Sequence, residues 1–303
     1  MKTSLDCIPC LLRQTLEAAR LVSADPAVHE QLMREVLRWT AEMDLNQSPP
    51  AMAQRIHRRL RAITGQDDPY LEAKTRHNHL ALELLPELRI EIQASGSPLL
   101  TAARMAIAGN MIDMGVNGNV TEADVRQAMR QALVEPFFGE QEQFRQAIDK
   151  ARSILYLADN ACEIVFDRLL IEQIPPERVT LVVRGAPVIN DATLADAQAV
   201  GLTEIVEVVD NGSDAPGTLL EDCSPDFRRR FAEADLIIAK GQGNFESLNT
   251  QPGNLFFLFK VKCPLVANHI LQPVGTQVLA HSNVGGLAMA HWLYRQFDRC
   301  LPE

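Results

Sequence analysis

The stretch Ile154-Leu155-Tyr156-Leu157-Ala158 is apolar throughout and runs directly into Asp159-Asn160-Ala161-Cys162-Glu163, after which Ile164–Leu170 resumes as an amphipathic helix. A short apolar run of this kind is a buried strand, and a strand that leads through a polar turn into a helix is the unit of a parallel sheet covered on both faces. In an open parallel sheet the carboxyl ends of the strands face a crevice where ligands bind, which aims Asp159 and Asn160 at that crevice. A carboxylate held there without water or a partner carries a heavy desolvation cost or shifts its pKa, so a cation belongs beside it.

The second half of the chain supplies a matching strand end. Val179–Val183 leads through Arg184-Gly185-Ala186-Pro187-Val188-Ile189 to Asn190-Asp191. Asp159, Asn160, Asn190 and Asp191 on two adjacent strand ends make an all-oxygen site suited to a hard divalent cation. Further strands are expected near 204–208, 235–239 and 264–267, separated by helical segments such as Leu194–Val200 and Pro225–Ala232. That alternation predicts an α/β fold, a three-layer α/β/α unit with a mostly parallel sheet. The run from Leu255 to Lys262 reads equally as a buried helix or a strand.

Upstream, residues from about 5 to 150 read as consecutive helices. Pro26–Met43 has apolar residues at helical spacing, Pro49-Pro50 marks a break, and Asp68-Pro69-Tyr70 opens a helix with Lys74 and Asn78 on one face. Ser97-Pro98 starts the next, whose end carries Asn110 and Asp113 on a shared face. Thr121-Glu122-Ala123-Asp124 has the form of an N-cap with an acidic first turn. The expected division is a helical unit over 1–150 and an α/β unit over 151–303.

A chain of 303 residues with 47% apolar and 22% charged residues is globular, and no apolar run approaches the ~20 residues of a membrane span. The start lacks the apolar core of a signal peptide, which makes a cytoplasmic location the expectation. A net charge of -10 disfavours nonspecific nucleic-acid binding, so an anionic small substrate needs a metal or a focused basic patch. Six cysteines are too few for a secreted disulfide framework in so long a chain, and reduced thiols are expected. Cys7-Ile8-Pro9-Cys10 lacks a second pair to complete a zinc site, which leaves packing and an auxiliary metal or redox role both open.

Lys240-Gly241-Gln242-Gly243-Asn244-Phe245-Glu246 follows the apolar strand Leu236-Ile237-Ile238, and its glycines allow backbone N–H groups close to an anion. Gly-x-Gly also occurs in ordinary turns; position at a strand end is what raises its weight. Lys260 and Lys262 flank apolar sequence, and each either snorkels to water or meets an anion. There is no Gly-x-Ser-x-Gly elbow and no histidine spacing typical of a catalytic zinc site.

Taken together, Asp159-Asn160, Asn190-Asp191, the Lys240–Glu246 loop and Lys262-Cys263-Pro264 resemble the damage-control phosphatase family, once a domain of unknown function. The resemblance is to its prokaryotic branch, through Cys7-x-x-Cys10, Asp68-Pro69-Tyr70 and Ala108-Gly109-Asn110-x-x-Asp113. It implies a divalent-metal-dependent phosphatase acting on small phosphorylated metabolites, with Mn, Mg, Ni or Co as the cation. It implies Asp159, Asn160 and Asp191 as metal ligands and catalytic residues together with Lys262 and Asp113. Substrate is then met by Asn110, Asn190, Gly241, Gln242, Gly243, Asn244, Glu246 and Lys262. Asp113 and Glu163 are the candidates for acid–base assistance. The family usually has glycine where Cys162 stands, which predicts a less open turn after Asn160. A methyltransferase and a noncatalytic metal-dependent phosphometabolite sensor are the rival readings; the first lacks a glycine-rich turn after its first strand.

Overall fold

The computed structural model describes residues 1–109 and 121–282. Six helices come first: α1 (Cys7–Val22), α2 (Pro26–Ala41), α3 (Pro49–Thr64), α4 (Leu71–Ala94), α5 (Pro98–Gly109) and α6 (Glu122–Val134). Their starts follow from local chemistry. Pro26, Pro49-Pro50 and Pro98 open helices in the first turn, where proline's missing N–H is no loss. Thr121 and Asp124 close a reciprocal capping box at the start of α6.

Strand, turn and helix alternate from there: β1 (Phe137–Gly139), α7 (Gln141–Lys150), β2 (Ile154–Leu157), α8 (Glu163–Ile171), β3 (Val179–Val183), α9 (Leu194–Ala199) and β4 (Glu207–Asp210). The rest are α10 (Pro225–Glu233), β5 (Leu236–Lys240), α11 (Gln242–Leu248), β6 (Leu255–Lys260), α12 (Pro264–Ile270) and β7 (Gln277–His281). Among the described residues, seven strands form one sheet in the order β1-β7-β6-β5-β2-β3-β4. Every pairing is parallel except β6 with β7. The mostly parallel α/β sheet with a helical region ahead of it is therefore present.

Side-chain parity along the strands assigns the two faces. Ile154 and Tyr156 of β2, Leu236 and Ile238 of β5, and Phe256 and Leu258 of β6 join a core with α4, α5, α6 and α8. Leu155, Leu157, Ile237, Ala239, Phe257 and Phe259 face the other way, onto Phe227, Phe245 and Val266. Residues of α1 to α3 bury a third cluster, from Leu11 through Leu60, with Tyr70. β2, β5 and β6 are buried along their whole length while the edge strand β4 is partly exposed, as expected for interior strands of a sheet covered on both faces.

One expected strand is corrected. Residues 264–267 belong to α12, and the strand of that region is β6. Pro264 occupies the first helical turn after an extended Cys263, which fits a helix start and would cost a central strand a ladder hydrogen bond. β1 and β7 were not anticipated. Both are short, and their register with each other is set across the sheet rather than by local pattern. Among the described residues no helix is long and apolar enough to cross a membrane. Cys7, Cys10, Cys162, Cys223 and Cys263 are free thiols, and Cys300 lies outside the described residues.

α3 carries a pH-sensitive group. Burial, and secondarily the Arg61 charge, depress His57 from 6.5 to about 4 against the opposing pull of Asp214. Between those values the unfolded chain takes up a proton that the folded chain refuses, so stability falls as pH drops from 6.5 toward 4. The loss expected is roughly 3 kcal/mol. His57→Gln removes that part of the slope, which urea unfolding at a series of pH values measures directly.

Candidate active site

The chain moves outward from β2 to β3 and β4, then crosses back to place β5 and β6 on the other side of β2. The strand order therefore reverses between β2 and β5, and the crevice of an open α/β sheet lies at such a reversal, outside the carboxyl ends of the strands. Asp159 follows β2 and Gly241 follows β5 there, in contact. Gly241 has φ 80°, and a Cβ on it would stand 1.9 Å from Asp159 Oδ2. Only glycine allows both that backbone conformation and that approach.

The turn after β3 is stitched to the turn after β2 through the backbone. Ala192 N donates to Asp159 O at 2.8 Å, Ala161 N donates to Asn190 O at 2.8 Å, and Asn160 and Asp191 form an isolated antiparallel bridge. Asp159, Asn160 and Asp191 are thus fixed relative to one another by main-chain bonds. Ile189 within this turn has φ 45°. A β-branched residue in the left-handed region carries strain of about 1–3 kcal/mol, which a turn tolerates where surrounding contacts over-determine it. Arg61 of α3 provides one such contact, donating to Pro187 O.

Asp159 and Asp191 are buried on either side of Arg184, whose Nε donates to Asp191 Oδ2 at 2.7 Å and whose Nη2 lies 3.7 Å from Asp159 Oδ1. Burial foremost, then the neighbouring Glu163 and Asp191 carboxylates, push Asp159 up to about 8 despite Arg184 and Lys262. Asp191 is raised by the same burial, with Arg184 opposing. Asn160 donates Nδ2 to Asp159 Oδ2 at 3.1 Å and to Glu163 Oε2 at 3.2 Å, which leaves its amide oxygen as the end to offer a cation. Two dehydrated carboxylates beside an amide oxygen are the donor set of a hard divalent cation, so these residues fit one. Among the described residues no three His, Cys, Asp or Glu side chains cluster as metal ligands. A cation would rest on the two carboxylates plus amide or backbone oxygens.

The loop after β5 divides its labour. Gly243 packs against Pro216, where a Cβ would meet the carbonyl oxygen at 2.3 Å. Asn244 is fully buried and is spent internally: Nδ2 donates to Lys240 O at 2.8 Å and Ala158 O at 3.2 Å, and Oδ1 accepts from Thr218 Oγ1 at 2.7 Å. It braces the β2 and β5 loops. Gln242 Nε2 donates to Glu246 Oε1 at 2.8 Å, and its Oε1 accepts from Lys262 N at 2.9 Å. Burial raises Glu246 to about 6, and the Met1 ammonium reaches its carbonyl oxygen. The Lys262 side chain is exposed, and its charge favours ionised Asp159. Of the two outcomes open to Lys260, it meets an anion of the chain itself, pairing with both oxygens of Glu135 at 3.0 and 2.9 Å.

Beneath the crevice lies a network that residue spacing did not reveal. Lys240 is fully buried, and its Nζ donates to Glu163 Oε1 at 2.5 Å, Asp167 Oδ1 at 2.6 Å and Ala106 O at 2.9 Å. Tyr156 Oη donates to the same Asp167 oxygen at 2.9 Å. Glu163 is therefore an ion-paired support of Asn160. The end of α5 presses on it, for a Cβ on Gly109 would come within 2.8 Å of Phe166 and 3.3 Å of Glu163. Cys162 is buried in the turn ahead of α8, its thiol pushed up to about 12 by desolvation. Asn110 and Asp113 lie outside the described residues.

Comparison with known proteins agrees in extent with this architecture. A family model described as the damage-control phosphatase ARMT1-like domain matches residues 3–278. The chain belongs to the damage-control phosphatase family. A relative from Archaeoglobus fulgidus, named damage-control phosphatase, is 37% identical over 287 residues, covering 92% of this chain and 98% of that protein. A damage-control phosphatase from Pyrococcus horikoshii is 30% identical over 285 residues, covering 92% of this chain and 97% of its own length. The crystal structure of a DUF89 family protein from Pyrococcus horikoshii superposes with a TM-score of 0.84 at 29% identity, covering 93% of this chain and 99% of that one. Membership of the damage-control phosphatase family thus extends over the helical region as well as the sheet.

Proposed function

We infer that this protein is a divalent-metal-dependent phosphatase that hydrolyses small phosphorylated metabolites, sugar phosphates or damaged phosphometabolites. One observation carries the reading: two buried carboxylates, Asp159 and Asp191, are locked by backbone bonds at neighbouring strand ends beside Asn160 and the glycine turn of β5. The names of the relatives support the phosphatase chemistry.

Hydrolysis of a phosphate monoester is among the slowest uncatalysed reactions, so the site must supply strong electrostatic help. A cation held by Asp159, Asn160 and Asp191 supplies Lewis-acid polarisation of the phosphoryl group and orientation of water. The chain's own residues do the rest. Glu163, fixed by Lys240, holds the Asn160 amide in place, and Gly241 keeps the space beside Asp159 open. Lys262, exposed, brings a positive charge to the anionic substrate, with Asn190 on the turn after β3. Asn110 and Asp113 follow α5, whose last described turn abuts Glu163, and belong to the same proposal as substrate contact and acid–base candidate.

A phosphate-release assay over a metabolite panel, run with Mn, Mg, Ni and Co in turn and after chelation, tests the reading. Release that survives chelation rejects metal dependence, and binding of cation and phosphate without release from any compound makes this a sensor. Lys262→Ala is expected to lower kcat/KM by roughly 10²–10³-fold with cation binding preserved, the scale of one preorganised electrostatic contact. Lys260→Ala breaks a largely buried pair with Glu135 and is expected to cost roughly 2–3 kcal/mol of stability with little kinetic change. Paired kinetics and urea unfolding on both variants check the contrast; reversed roles would reject Lys262 as the phosphate-facing lysine.

A further inference from the structure

Arg184 is the first residue beyond β3 and is 2% exposed. Its guanidinium points three ways. Nε is bonded to Asp191, and Nη1 stands 3.4 Å from both Thr218 Oγ1 and Asn244 Oδ1. Nη2 faces Asp159 Oδ1 at 3.7 Å and has no hydrogen-bond acceptor among the described residues. A buried donor left without an acceptor is costly, and such groups in a folded protein call for a reason. The rest of the fork is well anchored, because Thr218 Oγ1 also bonds Asn244 Oδ1 at 2.7 Å and so ties both to the loop after β5.

Charge counting supplies the reason. Without a cation, the guanidinium is the positive group lodged between two carboxylates. A divalent cation neutralises both, and the Arg184 charge is then unmatched inside a poorly solvated crevice. Together with Lys262 it supplies two positive charges beside the cation, to meet a phosphomonoester dianion. Arginine suits the place better than lysine, because its planar fork keeps one nitrogen on a carboxylate while another is offered to an anion.

We propose that Arg184 is a phosphate-binding residue of this site: partner of the Asp159 and Asp191 carboxyls in the cation-free protein, and donor through Nη2 to a phosphoryl oxygen once a cation holds those carboxylates. The proposal rests on the reading of the crevice as a metal-assisted phosphate site. It adds that cation and phosphate bind with positive coupling, each tightening the other by the same factor.

The test is calorimetric titration of wild type, Arg184→Met and Arg184→Lys, first with Mn²⁺ alone and then with inorganic phosphate at saturating Mn²⁺, after circular dichroism confirms folding. Wild type should bind phosphate more tightly with Mn²⁺ than without. Arg184→Met should bind Mn²⁺ at least as tightly as wild type, having lost a competing cation, and phosphate about 10–100-fold more weakly. Arg184→Lys should retain Mn²⁺ binding and lose part of the phosphate affinity, and it decides alone if the Met variant does not fold. Phosphate affinity within about twofold of wild type in the folded variants overturns the assignment. So does parallel loss of Mn²⁺ and phosphate binding, which marks a purely structural support. A wild-type protein that binds neither probe removes the metal-site reading and the assignment with it, whereas a binding wild type with unchanged variants removes the assignment alone.

Discussion

Asp159→Asn is expected to abolish cation binding and lower turnover by roughly 10³-fold or more, while making the metal-free protein more stable at neutral pH. Both effects come from one cause. The wild-type carboxyl titrates at about 8 in the folded chain against 3.8 unfolded, chiefly because it is desolvated. The folded state therefore holds a proton that the unfolded state has released, and stability falls as pH rises from 3.8 toward 8. Asparagine keeps the shape beside Gly241, carries no charge and removes that penalty. On the proposed reading it also removes a ligand of the cation, and with it a transition-state contribution of several kcal/mol. Metal titration, phosphate release and urea unfolding from pH 5 to 9 make the check. A variant with wild-type cation affinity would refute the ligand assignment, and a variant less stable than the metal-free parent at pH 8 would refute the electrostatic account.

Lys240→Met is expected to destabilise the protein by about 3–5 kcal/mol, the cost of leaving buried charge without its partner. Lys240 is fully buried between Glu163 and Asp167, and burial already raises Asp167 to about 7 with the ammonium in place. Without it, both carboxyls must take up protons or draw water into the core under α8. The added variant Lys240→Met/Glu163→Gln/Asp167→Asn should recover much of the loss, because a buried ionic group replaced as a unit leaves no orphan charge. Urea unfolding of the single and triple variants measures both. A single variant within about 1 kcal/mol of the parent would show that the network is solvated rather than dry.

A relation between the two predictions follows from their shared geometry. Glu163 joins them, accepting from Lys240 through Oε1 and from Asn160 through Oε2. The support beneath the crevice and the proposed ligands within it are thus successive layers of one arrangement, and misplacing a supporting carboxylate also misplaces the amide above it.

Much of the fold was written in local pattern. The apolar runs at Ile154–Leu157, Val179–Val183 and Leu236–Lys240 are interior strands, and proline or a capping box opened the helices where residue chemistry put them. The placement of Asp159, Asn160 and Asp191 at neighbouring strand ends was legible for the same reason: in a parallel sheet the residue past a strand end has few places to go. Leu255–Lys260 was open between strand and helix because so short an apolar run carries no period long enough to choose, and pairing with β5 makes it a strand; 264–267, expected as a strand, is helix. The fates of Asn244, Lys260 and Lys240 were also decided by tertiary structure. Asn244 braces loops rather than facing the crevice, Lys260 finds Glu135 across 125 residues, and Lys240 finds Glu163 and Asp167 across 77 and 73. Sequence alone thus determined most of the elements and the placement of Asp159, Asn160 and Asp191 at strand ends, since those depend on local propensity and the geometry of parallel sheets. Which buried charges pair, and which donor of Arg184 is left to offer, only the tertiary structure decided, because a desolvated charge is satisfied by whatever the fold brings to it.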